Sequence, residues 1–212
     1  MKQKVLLTVG LLLLLSSVHA KTEKFGTWIE FEISKEFFKK WEVSFIPEIR
    51  FQDQFQVDEY ILEGKLSYDP FKFLGFAAAY RYNTNIKKSG NEGLSSAVFD
   101  IIGSTEIDRF SGSLRARITN DPDDGDIPWE TFYFRPRAKL AYNIKGNKIE
   151  PYTSYELFMN LRAGETYKQR FDIGFTRKLG EYHRIGLYYR LQDYFTDKGS
   201  INILGIDYRF KF

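Results

Sequence analysis

The sequence has no cysteine and only two histidines among its 212 residues. Disulfide bonds therefore contribute nothing to its stability, and a metal centre built on thiolates or on several imidazoles is excluded. After the first twenty residues, no apolar run approaches the length of about 20 residues that a membrane-spanning helix needs. Phosphate-binding glycine loops and dinucleotide fingerprints are absent as well, so no nucleotide cofactor is expected.

The charges of the chain are nearly balanced, since 31 basic and 28 acidic residues leave a net charge of +3. This balance predicts no nucleic-acid partner. The aromatic content is high, at 17% of the chain, and it accompanies 28% charged residues. A soluble core does not need so many residues of both kinds, so their arrangement along the chain decides the class of fold.

Residues 1–20 have the pattern of a secretory signal peptide. Lys2 and Lys4 give a basic start, an apolar run follows, and Ala20 ends the segment. A membrane anchor is the alternative, but the apolar run is shorter than a spanning helix requires. Because no cysteine follows, a lipid-attached N-terminus is excluded. We expect cleavage before Lys21 and one domain over residues 21–212.

The remainder of the chain alternates between apolar and polar residues with a period of two, which is typical of β-strands. In the last segment this alternation continues up to the terminal Phe212. Turn residues separate the segments at the spacing of an antiparallel meander. The eleven candidate strands are residues 25–34, 41–51, 57–68, 73–84, 95–107, 112–120, 131–142, 149–160, 167–178, 184–195 and 201–212.

Alternation alone fits both a lipocalin-like soluble barrel, which is apolar inside, and a membrane barrel, which is apolar outside. The polar face of most strands carries arginine, glutamate and glycine, and tyrosines gather near the ends of the apolar faces, as in the aromatic girdles of membrane barrels. The interior of a soluble barrel of ten or more strands would also be hard to fill. We therefore predict an all-β, antiparallel, up-and-down transmembrane β-barrel of 10 to 12 strands in the bacterial outer membrane.

The strand count and the connections predict a topology. A single-chain bacterial barrel is expected to have an even number of strands, so ten or twelve are favoured over eleven. Short connections, the first at residues 69–72, fall on the side of Phe212, which we expect to be periplasmic, and the longer ones fall on the other side. The expected partners are the lipid bilayer and the barrel-assembly machinery, which would bind the C-terminal strand ending at Phe212.

Several clusters recur in a recognisable order along the mature chain. They are Gly26–Trp28, Pro47–Phe51, Tyr80–Tyr82, Phe134–Arg137, Ile149–Tyr152 with Tyr155 and Glu156, then Arg170, and Tyr188–Arg190. With these clusters the chain resembles a family of uncharacterised Gram-negative outer-membrane proteins. The resemblance implies an outer-membrane barrel, and it brings no established activity or site residues.

The charged residues of the polar face are the candidate functional residues, as the lining of a lumen. We predict a small, porin-like channel whose arginines favour anions. A barrel closed by the same ion pairs, with a structural or partner-binding role, is the alternative, and a lipid-modifying enzyme ranks third. The predicted lining residues are Glu48, Arg50, Glu63, Lys65, Arg81, Arg115, Arg117, Arg135, Arg137, Glu150, Glu156, Arg170, Asp172, Arg190, Asp207 and Arg209.

Two further features of the sequence are candidate sites of chemistry. His183 is the one histidine after the signal peptide, and we expect it to be a solvated residue of a short turn rather than a catalytic base. The acidic loop 121–126 offers oxygen ligands for calcium but lacks the spacing of a helical calcium-binding hand, so an ordinary solvated loop is favoured. We therefore expect no enzyme activity, no catalytic residue, no metal and no cofactor.

Overall fold

The computed structural model describes residues 22–121, 131–195 and 199–212. The expected signal peptide at residues 1–20 lies outside the described residues, and so do residues 122–126 of the acidic loop. No helix in the described part of the chain is long and apolar enough to cross a membrane.

The described residues form eleven β-strands and one short 3₁₀ helix, Asp53–Phe55. Each candidate strand that the alternation predicts is present, with ends that differ by a few residues. One turn differs: residues 69–71 belong to a strand, because the pairing of β3 with β4 shifts after Tyr68 and continues to Phe71. The strands are β1 Thr22–Phe37, β2 Trp41–Gln52, β3 Gln56–Phe71, β4 Leu74–Asn85, β5 Glu92–Ile107, β6 Phe110–Thr119, β7 Tyr133–Tyr142, β8 Ile149–Asn160, β9 Glu165–Lys178, β10 His183–Tyr194 and β11 Ser200–Lys211.

The strands close into a barrel. Strands that are consecutive in the chain pair antiparallel, whereas β1 and β11 pair in parallel, with Ile29 opposite Ile206. Eleven strands lie within the predicted range of 10 to 12, but the expectation of an even number, ten or twelve, is wrong. In an up-and-down barrel the direction of the chain reverses at each strand. If the first and last strands pair antiparallel, the number of strands is even; here they pair in parallel, so the number is odd.

Because β1 and β11 run in the same direction, the start of β1 and the end of β11 lie at opposite ends of the barrel. We call the end where β11 stops the C-terminal end; it contains the connections 38–40, 72–73, 108–109, 143–148 and 179–182. The opposite end, where β1 starts, is the loop end. It contains the connections 53–55, 86–91, 120–132, 161–164 and 195–199, of which 120–132 is the longest.

The two faces of the sheet differ in the opposite sense to a water-soluble barrel. Large apolar side chains are exposed on the outside, as shown by Phe99 at 59%, Ile101 at 53% and Leu114 at 68%. Charged side chains are buried instead, among them Glu63 at 5% and Arg170 at 3%. Because successive side chains of a strand point to opposite faces, the alternation in the sequence produces this arrangement directly.

Prolines interrupt the hydrogen-bonded pairing in two separate pairs of strands. The β7–β8 pairing skips Arg135 and Pro136, and the β1–β2 pairing skips Ile46 and Pro47. Proline has no N–H to donate, so one rung of the ladder is lost at each position. Pro136 lies between two inward-facing arginines, Arg135 and Arg137, which belong to the site described below.

Glycines make room for one tyrosine inside the barrel. Tyr188 lies opposite Gly174 on β9 and opposite Gly205 on β11. A Cβ atom at position 174 would lie 2.5 Å from the carbonyl oxygen of Leu187 and 2.7 Å from Cβ of Tyr188, and one at position 205 would collide with the Tyr188 ring. Because Gly174 and Gly205 have no side chains, the Tyr188 ring can pack directly against the neighbouring strands β9 and β11.

Candidate functional site in the barrel interior

Four arginines on the inner faces of β6 and β7 form two directly opposed pairs, which we call the arginine ladder. Arg115 faces Arg137, and Arg117 faces Arg135. Like charges in opposite positions of a sheet destabilise it unless counter-charges compensate for them. Arg115, Arg117 and Arg135 are at least nine-tenths buried, so compensation must come from the protein.

Two carboxylates supply most of this compensation. Nε and Nη2 of Arg117 donate hydrogen bonds of 2.7 and 2.8 Å to the two oxygens of Asp100. Oε1 of Glu156 accepts from Arg115 at 2.5 Å and from Arg135 at 3.1 Å. Glu156 is thus shared by two cations. The fourth arginine, Arg137, makes no ion pair or hydrogen bond with the described residues.

Other buried ion pairs continue around the interior wall. Arg81 binds Glu63 at 2.7 Å and Asp121 at 3.2 Å, and Arg190 binds Asp172 through two hydrogen bonds of 2.7 and 3.0 Å. Arg50 pairs with two glutamates; the partners are Glu48 at 2.7 Å and Glu59 at 2.8 Å. Removing one member of such a pair leaves a buried charge uncompensated, which costs about 3 to 5 kcal/mol.

Trp28 of β1 projects into the middle of the interior, where it meets three arginines. The guanidinium carbon of Arg50 lies 3.7 Å from the centre of the Trp28 ring, and those of Arg190 and Arg170 lie at 4.9 and 5.0 Å. Such cation–π contacts contribute about 0.5 to 2 kcal/mol each, and most where water is excluded. Trp28 is 9% exposed, so these groups fill the interior at this level.

Phe158 of β8 forms a second aromatic contact with cations. Its side chain has no exposed surface. Arg135 lies 4.1 Å from its ring centre, Lys168 lies at 4.2 Å and Arg170 at 4.7 Å. Arg170 therefore contacts both Trp28 and Phe158, and joins the two aromatic groups across the interior.

Three cavities lie between these groups in the described residues. The central cavity, of about 300 Å³, is lined by β1 to β10, and nine basic and six acidic side chains contribute to it. A cavity of about 260 Å³ near the loop end shares Trp28 and Arg50 with the central one. A cavity of about 230 Å³ near the C-terminal end shares Arg137 and Tyr188 with the central one.

Acidic residues concentrate on the wall opposite the arginine ladder. Glu30 of β1 lies opposite Glu48 on β2 and opposite Asp207 on β11. In the order of eleven strands, β1 is farthest from β6 and β7. The interior therefore has a basic wall and an acidic wall that face each other.

The structure brings together nearly all of the lining residues that the sequence predicts. Each of them except Glu150 lines the central cavity or the one near the C-terminal end. Lys65 and Arg209 both contact Glu32, at 3.1 and 3.5 Å, and Arg209 also pairs with Glu42. Glu150, the second residue of β8, lines none of the three cavities and forms no ion pair in the described residues.

Several interior residues were missed in the sequence. Glu30, Glu32 and Asp100 lie on the polar parity of their strands, so the alternation could have indicated them. Trp28, Tyr188 and Phe158 also face inward, because each lies two residues from Glu30, Arg190 or Glu156 on the same strand, although composition alone gives no signal for this. Only the position of each residue relative to its strand neighbours distinguishes an inward aromatic side chain from an outward one.

His183 is the first residue of β10 rather than a turn residue. Its Nδ1 lies 2.5 Å from the hydroxyl oxygen of Tyr208, and its ring stacks on Phe210 with centres 5.0 Å apart. Asp121, at the start of the acidic loop, is buried against Arg81. Across residues 22–121, 131–195 and 199–212, no three acidic, histidine or cysteine side chains are arranged to hold a metal ion.

Comparison with known proteins gives one family. A search of curated proteins found no match. A family model described as "Protein of unknown function (DUF2490)" matches residues 25–202, from the fourth residue of β1 to the third residue of β11. Because the match covers most of the barrel, the chain belongs to the DUF2490 family of proteins of unknown function.

Proposed function

We propose that this protein is a β-barrel of the bacterial outer membrane whose interior is closed to ion flow. The observation that carries the proposal is the inverted burial of the two faces, with apolar side chains outside and ion pairs inside. Moving one large apolar side chain out of water is favourable by about 1.5 to 3 kcal/mol. A lipid environment provides this gain for the outer face, and a closed barrel satisfies the backbone hydrogen bonds there.

The assignment to the outer membrane is supported by the expected signal peptide and by the last strand. Phe212 donates its backbone N–H to the carbonyl of Ser34 at 3.0 Å, and its ring stacks on Phe210. The C-terminal residue is therefore held in the parallel seam between β1 and β11. We propose that the barrel-assembly machinery binds this strand before the seam closes.

Electrophoresis without boiling tests the membrane barrel. Protein extracted in detergent should run faster unboiled than boiled, because the closed sheet stays folded in the sample buffer. The control is the same protein unfolded in urea before loading, which should run at the boiled position. A folded monomer that remains soluble after all detergent is removed would contradict a lipid-facing exterior.

The closed interior is supported by the packing at Trp28. The Trp28 ring and the Arg50 side chain line both the central cavity and the loop-end cavity, and the guanidinium carbon of Arg50 lies 3.7 Å from the ring centre. An open aqueous pore would leave such side chains in contact with water, whereas Arg50 is only 5% exposed and Arg170 only 3%.

An anion-selective channel is the second candidate, and the adjacency of the cavities favours it. The central cavity and the loop-end cavity share Trp28 and Arg50, so these two side chains lie where the cavities adjoin. Single-channel recording in planar bilayers separates the two candidates. We expect no current steps from the folded protein, and steady anion-selective steps would establish the channel instead.

A further inference from the structure

We infer that the arginine ladder binds a small soluble oxyanion, of the phosphate or sulfate type, within the central cavity. The inference goes beyond the proposed function, because it rests on the interior alone and holds for any location of the barrel. Three observations carry it: a cation without an ion pair in the described residues, a buried donor without an acceptor, and a cavity beside both.

The cation without an ion pair is Arg137. It lies opposite Arg115 on one side and opposite Glu156 on the other. Glu156 already accepts from Arg115 and Arg135, and the described residues give Arg137 no ion pair or hydrogen bond. Its side chain lines both the central cavity and the cavity near the C-terminal end.

The unused donor is Nε of Arg115. This atom is buried and has no hydrogen-bond partner in the described residues, although Nη2 of the same side chain binds Glu156. A buried N–H without an acceptor is destabilising, and more so when the group is charged. Arg115 lines the central cavity, so an acceptor that enters the cavity lies beside this side chain.

The charge balance of the arginine ladder favours an anion as the ligand. Three of its four arginines are bound by two carboxylates, those of Asp100 and Glu156. The ladder therefore has more cations than bound carboxylates in the described residues. An oxyanion presents several acceptor oxygens, and guanidinium groups bind such groups through paired hydrogen bonds.

The position of the ladder also identifies the source of the anion. The central cavity is lined by inward-facing residues of ten strands, whereas a lipid phosphate would lie outside the barrel wall. A phosphate headgroup has no path to Arg115 and Arg137 through a closed sheet. The ligand must therefore be a soluble anion that enters from one end of the barrel.

Calorimetric titration with inorganic phosphate tests the site. The folded protein is kept in a maltoside micelle, which carries no phosphate, and chloride holds the ionic strength constant. We expect saturable binding of one phosphate, weakened about tenfold or more in Arg137→Gln and recovered in part in Arg137→Lys. Arg177→Gln, at an exposed position of β9, is the matched control and should bind like the wild type.

Unfolding in urea gives a second readout that is independent of heats of binding. Phosphate should raise the unfolding midpoint of the wild type and of Arg177→Gln, because a ligand that binds only the folded state stabilises it. It should leave Arg137→Gln nearly unchanged. Absence of saturable binding to the folded wild type, or an equal stabilisation of all variants, would overturn the inference. Bilayer conductance is not part of this test, so failure of the anion site leaves the proposed function standing.

Discussion

Ile29 of β1 and Ile206 of β11 lie side by side in strands that run in the same direction. This parallel pair lets eleven strands close, and it places the start of β1 and the end of β11 at opposite ends of the barrel. With an odd number of strands the two ends of the barrel sequence emerge on opposite sides, and with an even number they emerge on the same side. Labelling of cells can therefore test the strand number.

Epitope tags should show the two ends on different sides of the membrane. We expect a tag after Lys21 and a tag in the connection 86–91 to be accessible on intact cells, because β1 begins at the loop end and the connection 86–91 belongs to that end. A tag in the connection 143–148, at the C-terminal end, should become accessible only after the cells are permeabilised. Labelling of the Lys21 tag and the 143–148 tag from the same side would indicate ten or twelve spanning strands.

Gly174 should tolerate no side chain. In Gly174→Ala the added Cβ meets the backbone of Leu187 and Tyr188, which no rotation of a side chain can relieve. We expect a loss of about 1 to 3 kcal/mol in the free energy of unfolding, as in other overpacked sites. Urea unfolding followed by tryptophan fluorescence measures it. Gly64→Ala is the control, since an added Cβ there meets no atom within 4 Å; equal losses in both variants would contradict the close packing at Tyr188.

Asp100 should be needed to hold the arginine ladder together. Asp100→Asn removes the charge that Arg117 binds and leaves Arg117 opposite Arg135. We expect a loss of about 3 to 5 kcal/mol in the free energy of unfolding, which is typical of a broken buried pair. Glu106→Gln, at an exposed position of the same strand, should change it by less than about 0.5 kcal/mol. Similar small effects for both would mean that the interior is hydrated enough to screen the ladder.

Trp28 should be the barrier between the two larger cavities. Trp28→Ala removes the ring that they share, so we expect current steps in planar bilayers where the wild type gives none. Trp41→Ala removes a tryptophan that stacks on Tyr68 and should remain silent. Both variants must first run at the folded position in unboiled gels. A silent Trp28→Ala barrel that passes this check would place the barrier elsewhere.

The sequence predicts the strands and their two faces well because alternation is a local property of each segment. Leu114 and Arg115, for example, are assigned to opposite faces by their positions alone. Pairs such as Arg117 with Asp100 depend on the register between strands, which alternation does not specify. The parallel seam could not be predicted, because it is a property of closure between the two most distant strands. The inward position of Trp28 was missed because an aromatic residue suits lipid and packed interior equally.

Labelling at Ala77 and Ala78 tests the orientation of the two faces most directly. These neighbours on β4 have small side chains; Ala77 lines the central cavity and Ala78 is exposed on the outside. The chain has no cysteine, so Ala77→Cys and Ala78→Cys each take a single fluorescent label. In the protein folded into vesicles, we predict that brominated lipid chains quench the label at position 78 and leave the label at position 77 bright. Quenching at 77 and not at 78 would contradict a lipid-facing apolar exterior.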